Sequence, residues 1–355
     1  MNFAGSATGS SVNGLSAPAR VLIVDDSVVA RTIITRMVES FDGFKVSATV
    51  SSVAAALDHL AHAIVDIILL DIEMPGIDGL TALPSLLEAG AGARILIVST
   101  ACEEGGAAAV RALALGAADT LVKPAAGNLA NRFSEALHER LVRLTARPGH
   151  PAPSGSVTQI VPRADFDVVA IGASTGGIHA LSQLLGALPP EFETPILITQ
   201  HLPTSFMCYF AAQLEIIARR PCDVAIDHIR IRPGRIIIAP GDGHLLCVKV
   251  RDGGAIRLGR EPAVSGCLPS VDPMLESVTR VYGERALAIV LSGMGRDGMH
   301  GARNLYEVGG TVLVQDRASS VVWGMPGAIA TSGNATAVMT PVSMAAFLSA
   351  SVSGA

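Results

Sequence analysis

Charge is scarce in this 355-residue sequence: only 16% of residues are Asp, Glu, Lys or Arg, and aromatic residues make up 4%. There is no basic excess, the formal net charge being −5, so no nucleic-acid-binding or anionic-membrane surface covers the molecule. Cysteines number five, with no close C-x-x-C pair. That odd, scattered set speaks against a disulfide framework or a structural zinc site and points to a reduced, cytoplasmic protein. Disorder is excluded by the 50% hydrophobic content, which is enough to bury two sizeable cores. The last absence is the most pointed: after Arg317 no charged side chain occurs in 38 residues. Pro326, Gly333, Asn334 and Pro341 interrupt that tail. It therefore lacks the roughly 18–20 consecutive apolar residues a membrane span needs. No membrane insertion is expected, and the tail reads as the closing elements of a folded core.

Residues 1–19 are rich in Ser, Gly, Ala and Asn, carry no charge and lack the apolar run of a signal peptide. A disordered extension is expected there. From residue 20 to 146, short apolar runs (Val21–Val24, Ile67–Leu70, Ile95–Val98, Thr120–Val122) alternate with helix-like stretches, the last spanning Asn128–Ala146. Apolar strands without polar alternation, separated by helices, indicate a doubly wound parallel sheet. Residues 147–164, with four prolines and two glycines, read as a linker. A second α/β unit, 165–355, begins at the strand Asp167–Ile171. Further strands are expected near 196–199, 223–226, 235–239, 245–250, 286–291, 311–314 and 337–340, with helices near 176–187, 205–219, 272–281 and 298–308. The stretch 235–259, with its Gly-Asp-Gly and Asp-Gly-Gly turns, reads as hairpins inserted in the sheet. Pro341–Val352 reads as a final helix with Pro near its first position.

Asp25, Asp26, Asp71, Ser99 and Lys123 each follow an apolar strand. Carboxyl ends of parallel strands converge on one crevice. Three carboxylates there repel one another unless a divalent cation such as Mg²⁺ joins them. One carboxylate could then accept a phosphoryl group while the hydroxyl and ammonium hold its oxygens. A lone Asp at such a place is more often a turn or helix cap, but the five together, with Lys123 followed by Pro124, are hard to obtain that way. Asp25-Asp26, the block Asp71–Gly79, Ser99 and Lys123-Pro124 resemble the receiver domain of two-component response regulators. The resemblance covers about residues 20–140 and implies a flavodoxin-like fold. It implies phosphorylation of Asp71, Asp25 and Asp26 helping hold Mg²⁺, Lys123 contacting the phosphoryl group and Ser99 as switch hydroxyl. Thr120 stands where many receivers carry an aromatic switch residue.

In the second unit, the strand Asp167–Ile171 runs into Gly172-Ala-Ser-Thr-Gly-Gly177. Three readings stay open on this segment: a structural glycine turn, a phosphate- or dinucleotide-binding loop, and a nucleophile elbow of the G-x-S-x-G kind exposing Ser174. Against the second, G-x-G-x-x-G is not met and the next strand ends in Gln200-His201 rather than an acidic ribose ligand. A serine nucleophile needs a base and a carboxylate to orient it. His201, ending the next strand, is the best-placed histidine. His179, His244 and His300 read as surface or supporting residues. Asp297 follows another apolar strand, in Ser292–Gly298. The order Ser…His…Asp differs from that of α/β-hydrolases.

Residues 165–350 are similar to the catalytic domain of the CheB methylesterase family. The likeness rests on Ile171–Gly177, Gln200–Pro203, Ile238–Gly241, Pro269–Asp272, Leu291–Gly298 and Ser319–Pro326. It implies a Rossmann-like domain with Ser174 as nucleophile, His201 as base, Asp297 as its partner, and Thr175 and Met294 contributing to the oxyanion site. It also implies hydrolysis of glutamate methyl esters on methylated chemoreceptors, with glutamine deamidation, under a histidine kinase of the CheA type. No cofactor is expected in the esterase domain. The competing reading is a receiver-controlled regulator whose second domain binds a nucleotide or partner without esterase activity.

Overall fold

The computed structural model describes residues 17–99, 103–123, 130–145 and 166–352. The expected extension up to residue 16, Pro124 and the linker 147–164 lie outside the described residues.

In the first unit the chain runs β1 (Ala19–Val24), α1 (Val28–Glu39), β2 (Phe44–Val50), α2 (Val53–His62), β3 (Ile67–Asp71), α3 (Gly79–Ala89), β4 (Arg94–Ser99), α4 (Glu103–Leu115), β5 (Asp119–Val122) and α5 (Ala130–Thr145). All five strands are parallel, in the order β2-β1-β3-β4-β5. This is the flavodoxin-like order expected. Its central strands are buried on both faces, which is why they read as unbroken apolar runs. Three helices start directly above the carboxyl edge because the residue leaving the strand region caps them. Ser27, Ser52 and Asp78 accept backbone N–H groups of Ala30, Ala55 and Thr81 at 3.2, 3.3 and 2.6 Å.

The second unit runs β6 (Val168–Ala173), α6 (Gly177–Gly186), β7 (Ile196–Gln200), α7 (Met207–Ala218), β8 (Cys222–Val224), β9 (Ile236–Ile238), β10 (His244–Val250) and β11 (Gly253–Gly259). It continues with α8 (Val271–Tyr282), β12 (Ala286–Val290), α9 (Met299–Glu307), β13 (Thr311–Gln315), α10 (Met325–Thr331), β14 (Ala337–Met339) and α11 (Pro341–Val352). Seven strands form one parallel sheet in the order β14-β13-β12-β6-β7-β9-β8, and β10-β11 form a separate antiparallel hairpin. The strand expected over 235–239 is therefore present, but it does not belong to a hairpin. Ile236–Ile238 is a buried strand of the main sheet, pairing in parallel with β7 and β8, and only 244–259 is a hairpin. The short helix α10 was not anticipated; Pro326 lies in its first turn.

The uncharged tail folds against the rest. Val322 O accepts the Gly293 N–H at 3.0 Å, Met325 N–H donates to Gly293 O at 2.8 Å, and α11 packs on α6. Among the described residues no helix is long and apolar enough to cross a membrane. The two units share a core: α4 packs on α6 and α7, joining Ala109, Val110 and Leu113 to Ile178, Leu181 and Phe210 in one apolar cluster.

Candidate functional site

At the carboxyl edge of the first sheet, one oxygen each from Asp25, Asp26 and Asp71 lies within 4.8 Å of the others. Asp25 and Asp71 are buried and Asp26 is exposed. Lys123 Nζ reaches Asp71 Oδ2 at 2.6 Å and Asp25 Oδ2 at 2.9 Å. Burial pushes Asp71 above its ordinary carboxyl value, Lys123 pulls it back in part, and the charge of Asp25 adds to the rise. For Lys123, burial opposes the ammonium, but the two carboxylates outweigh it and raise its pKa. Ser99 is buried at the end of β4 beside this group of strand ends. The donor set is all hard oxygen, which fits Mg²⁺.

At the carboxyl edge of the second sheet, β6 leads into the turn carrying Ser174. Gly176 adopts φ +75°, a left-handed conformation that a Cβ disfavours, and α6 starts at once. Ser174 is fixed through its backbone. Its N–H donates to Ser292 O at 3.0 Å, and its carbonyl accepts from Gly177 N–H at 2.8 Å and Gln200 Nε2 at 3.0 Å. Gly293 permits the close approach of the 292–295 turn, since a Cβ there would lie 2.9 Å from the Ser174 Cβ.

His201 leaves β7 with its N–H bonded to Ala173 O at 3.1 Å, tying it to the strand that carries Ser174. Its Nε2 lies 2.8 Å from Asp297 Oδ2. With Nε2–H donated to the carboxylate, the Nδ1 lone pair is left to take a proton. Burial disfavours the imidazolium, but Asp297 and the nearby Cys267 thiol outweigh it, and His201 is pushed up to about 9. Asp297 is held down to about 2; burial opposes its charge, and the bonds from His201, Ser270 and the Val271 backbone overcome that.

Asp297 is the most heavily bonded group of the site. It accepts from His201, Ser270 Oγ (2.6 Å) and the backbone N–H groups of Val271, Asp272 and Gly298. The N–H groups of Val271 and Asp272 open α8, so the carboxylate sits on the positive end of that helix. Ser270 is held in turn: its N–H donates to Nδ1 of the buried His244 at 2.9 Å, and His244 Nε2 lies 2.8 Å from Glu261 O. His244 is thus no surface residue but part of this support. His179 points away from Ser174, its Nδ1 lying 3.0 Å from Ala114 O in the first unit. His300 lies in the first turn of α9.

Ser270 and Cys267 were missed as site residues from sequence. Ser270 stands inside the Pro269–Asp272 motif, so its hydroxyl was in view; Cys267 gave no signal.

A half-open cavity of about 880 Å³ connects Ser174, His201, Cys267 and Met294 with Asp119 and Arg140 of the first unit. Thr120 lines it too. Thr175 Oγ1 donates to Asp119 Oδ2 at 3.4 Å, and Gly176 N–H donates to Ala118 O at 3.0 Å. In this arrangement β5 and α5 of the first unit cover the approach to Ser174.

Family models match at both ends: "CheB methylesterase" over residues 169–348 and "Response regulator receiver domain" over 21–133. The chain belongs to the CheB methylesterase family. The protein-glutamate methylesterase/protein-glutamine glutaminase 2 of Caulobacter vibrioides is 43% identical, over 90% of this chain and 95% of its own length. The corresponding protein of the group 2 operon of Rhodospirillum centenum is 39% identical over 94% of each chain. Among solved structures, the Thermotoga maritima CheB methylesterase catalytic domain matches 53% of this chain and 99% of its own, at a TM-score of 0.51 and 32% identity. This CheB-family chain thus carries a receiver sheet and an esterase sheet whose carboxyl edges each gather one cluster of reactive side chains.

Proposed function

We propose that this chain hydrolyses glutamate γ-methyl esters on methyl-accepting chemoreceptors, releasing methanol, and deamidates receptor glutamines. In this reading the receiver unit governs the rate. Ser174 Oγ attacks the ester carbonyl as His201 Nδ1 takes its proton, and the methoxide leaves with that proton as methanol. Water, deprotonated by the same imidazole, then opens the acyl-serine and leaves a free carboxylate. Asp297 holds the tautomer and stabilises the imidazolium. Thr175 and Met294, flanking Ser174 across the cavity, are assigned to the carbonyl oxygen. The observation that carries the reading is the 2.8 Å pair His201–Asp297 at the sheet edge next to the glycine turn of Ser174.

Asp71 is proposed as the phosphoryl acceptor, with a histidine kinase of the CheA type as donor. Mg²⁺ would be held by Asp25, Asp26 and Asp71; when bound, it supplies positive charge to phosphoryl oxygens. Lys123 and Ser99 would hold those oxygens from the protein side. Phosphorylation would draw Lys123 off the carboxylates and shift the balance between covered and uncovered arrangements of the Ser174 cleft. The whole reaction fits a cytoplasmic protein. The decisive experiment measures methanol released from a methylated receptor by wild type and Ser174→Ala. Equal release from both would sink the assignment. Nucleotide binding without ester hydrolysis would favour a binding module instead.

A further inference from the structure

His201, Cys267 and Asp297 converge more closely than the hydrolytic cycle requires. One ligand atom from each lies within 4.8 Å of the other two. Cys267 forms and breaks no bond in the proposed hydrolysis, yet it lies beside His201 and lines the same cavity as Ser174. A sulfur, an imidazole nitrogen and a carboxylate oxygen, with a fourth side open to a cavity, form the donor set of an open zinc site. The receiver triple is all oxygen, so a metal bound there gives no sulfur band and can be told apart. Among the described residues these are the two clusters that bring three such ligands together.

We infer that Cys267, His201 and Asp297 bind a soft divalent metal ion, Zn²⁺ being the natural one, and that its binding shuts off the esterase. Bonds of about 2.0–2.3 Å in a tetrahedron put donor atoms roughly 3.3–3.7 Å apart. The set therefore needs adjustments of about 1 Å. Cys267 can make them, because the preceding residues 264–266 are exposed and its Sγ already interacts with His201, lying 3.9 Å from Ser265 O on its other side. Asp297 is fixed by its backbone bonds and supplies a rigid side of the site. The metal would occupy the imidazole that Ser174 needs as its proton acceptor. The cost to hydrolysis rests on the serine-esterase reading; the metal site itself does not.

The test uses the full chain in reducing, chelator-free buffer, titrated with Co²⁺ as a spectroscopic probe and with Zn²⁺. With excess Mg²⁺ added to fill the receiver carboxylates, one thiolate-bound Co²⁺ per chain is expected, with a sulfur-to-cobalt charge-transfer band and the visible bands of tetrahedral coordination. Zn²⁺ should displace it, protect Cys267 from alkylation in peptide mapping, and suppress methanol release reversibly. Cys267→Ser should lose the charge-transfer band and need at least about tenfold more Zn²⁺ for inhibition, since even loss of an outer-sphere partner weakens metal sites by about 10–100-fold. Its own rate in metal-free buffer is the reference against which that inhibition is read. Absence of the sulfur band, or equal zinc sensitivity in Cys267→Ser, overturns the site. A sulfur band with undiminished methanol release overturns the inhibition. If metal-free wild type releases no methanol, the esterase reading is the one that fails, and the cobalt spectrum still decides the metal site.

Discussion

Asp71 and Ser174 both follow a buried apolar strand at the carboxyl edge of a parallel sheet, but their surroundings differ in kind. Around Asp71, three carboxylates share one ammonium, Lys123, which reaches two of them, while Arg31 bonds only the Asp25 and Asp26 backbone carbonyls; burial holds Asp71 above its ordinary value. That cluster is left short of positive charge and is poised to respond to a cation or a phosphoryl group. Around Ser174, the supporting carboxylate is fully bonded: Asp297 accepts five hydrogen bonds, three of them from backbone N–H groups. It is fixed before substrate arrives. One fold edge thus serves a switch by leaving charge uncompensated and a catalyst by compensating it completely.

Removing the fixed carboxylate should have the largest effect. Asp297→Asn is expected to lower kcat on the order of 10⁴-fold, through loss of the imidazolium partner and of the correct tautomer. Steady-state methanol release measures it. A loss below tenfold would mean the preorganised pair is not what drives hydrolysis.

Ser270→Ala tests the same rigidity one step further out. A hydrogen bond to a charged group contributes about 1.5–3 kcal/mol, so kcat should fall about 10–100-fold with KM little changed. An equal change in both parameters would indicate a general loss of structure instead. The pH profile belongs beside it. His201 is pushed up to about 9, so its base form is lost as pH falls through a value above the ordinary 6.5. In metal-free buffer the acid limb of kcat/KM should lie above pH 6.5, with activity falling about tenfold per unit below the limb. A limb at or under 6.5 would show that Asp297 does not stabilise the imidazolium.

The contrast between the two sites also explains what was legible in the sequence. Asp71, His201 and Asp297 could be read because each follows an apolar strand, and parallel strands deliver such residues to one edge. The spacing of carboxylates and of the glycine turn needed no tertiary knowledge. Ser270, His244 and Cys267 were not legible as a group because they come from the hairpin β10-β11 and the loop that follows it. Only long-range folding lays that loop across Asp297. β9 was read as a strand but assigned to a hairpin for a local reason: three isoleucines stand between Pro233-Gly234 and Pro240-Gly241, a short run bounded by turn residues. The partner strands that make it central lie far away in sequence.

The switch side is tested by Asp71→Asn. It should abolish stimulation of methanol release by a phosphodonor while leaving the unstimulated rate within about twofold, because the substitution alters the receiver edge and no bond of Asp297. A large fall in the unstimulated rate would mean that the two clusters are coupled even without phosphorylation.

The smallest expected effect lies where the two regions meet. Asp119 Oδ2 is held 3.1 Å from Arg140 Nη1 and accepts the Thr175 hydroxyl at 3.4 Å. Asp119→Ala removes that polar contact. It keeps the backbone bond from Gly176 to Ala118 and the apolar packing of α4 on α6 and α7. A net hydrogen bond contributes about 0.5–1.5 kcal/mol, so the unphosphorylated rate should rise about two- to tenfold at most. The fully stimulated rate should not change if phosphorylation uncovers Ser174 as proposed, since that would already break the contact. Methanol release with and without a phosphodonor separates these outcomes. A rise in both rates would place Asp119 in tuning the serine turn itself. No rise in either would assign the covering of Ser174 to what the variant keeps, the backbone bond from Gly176 to Ala118 and the apolar face of α4, where residues such as Val110 and Leu113 are buried against the esterase unit.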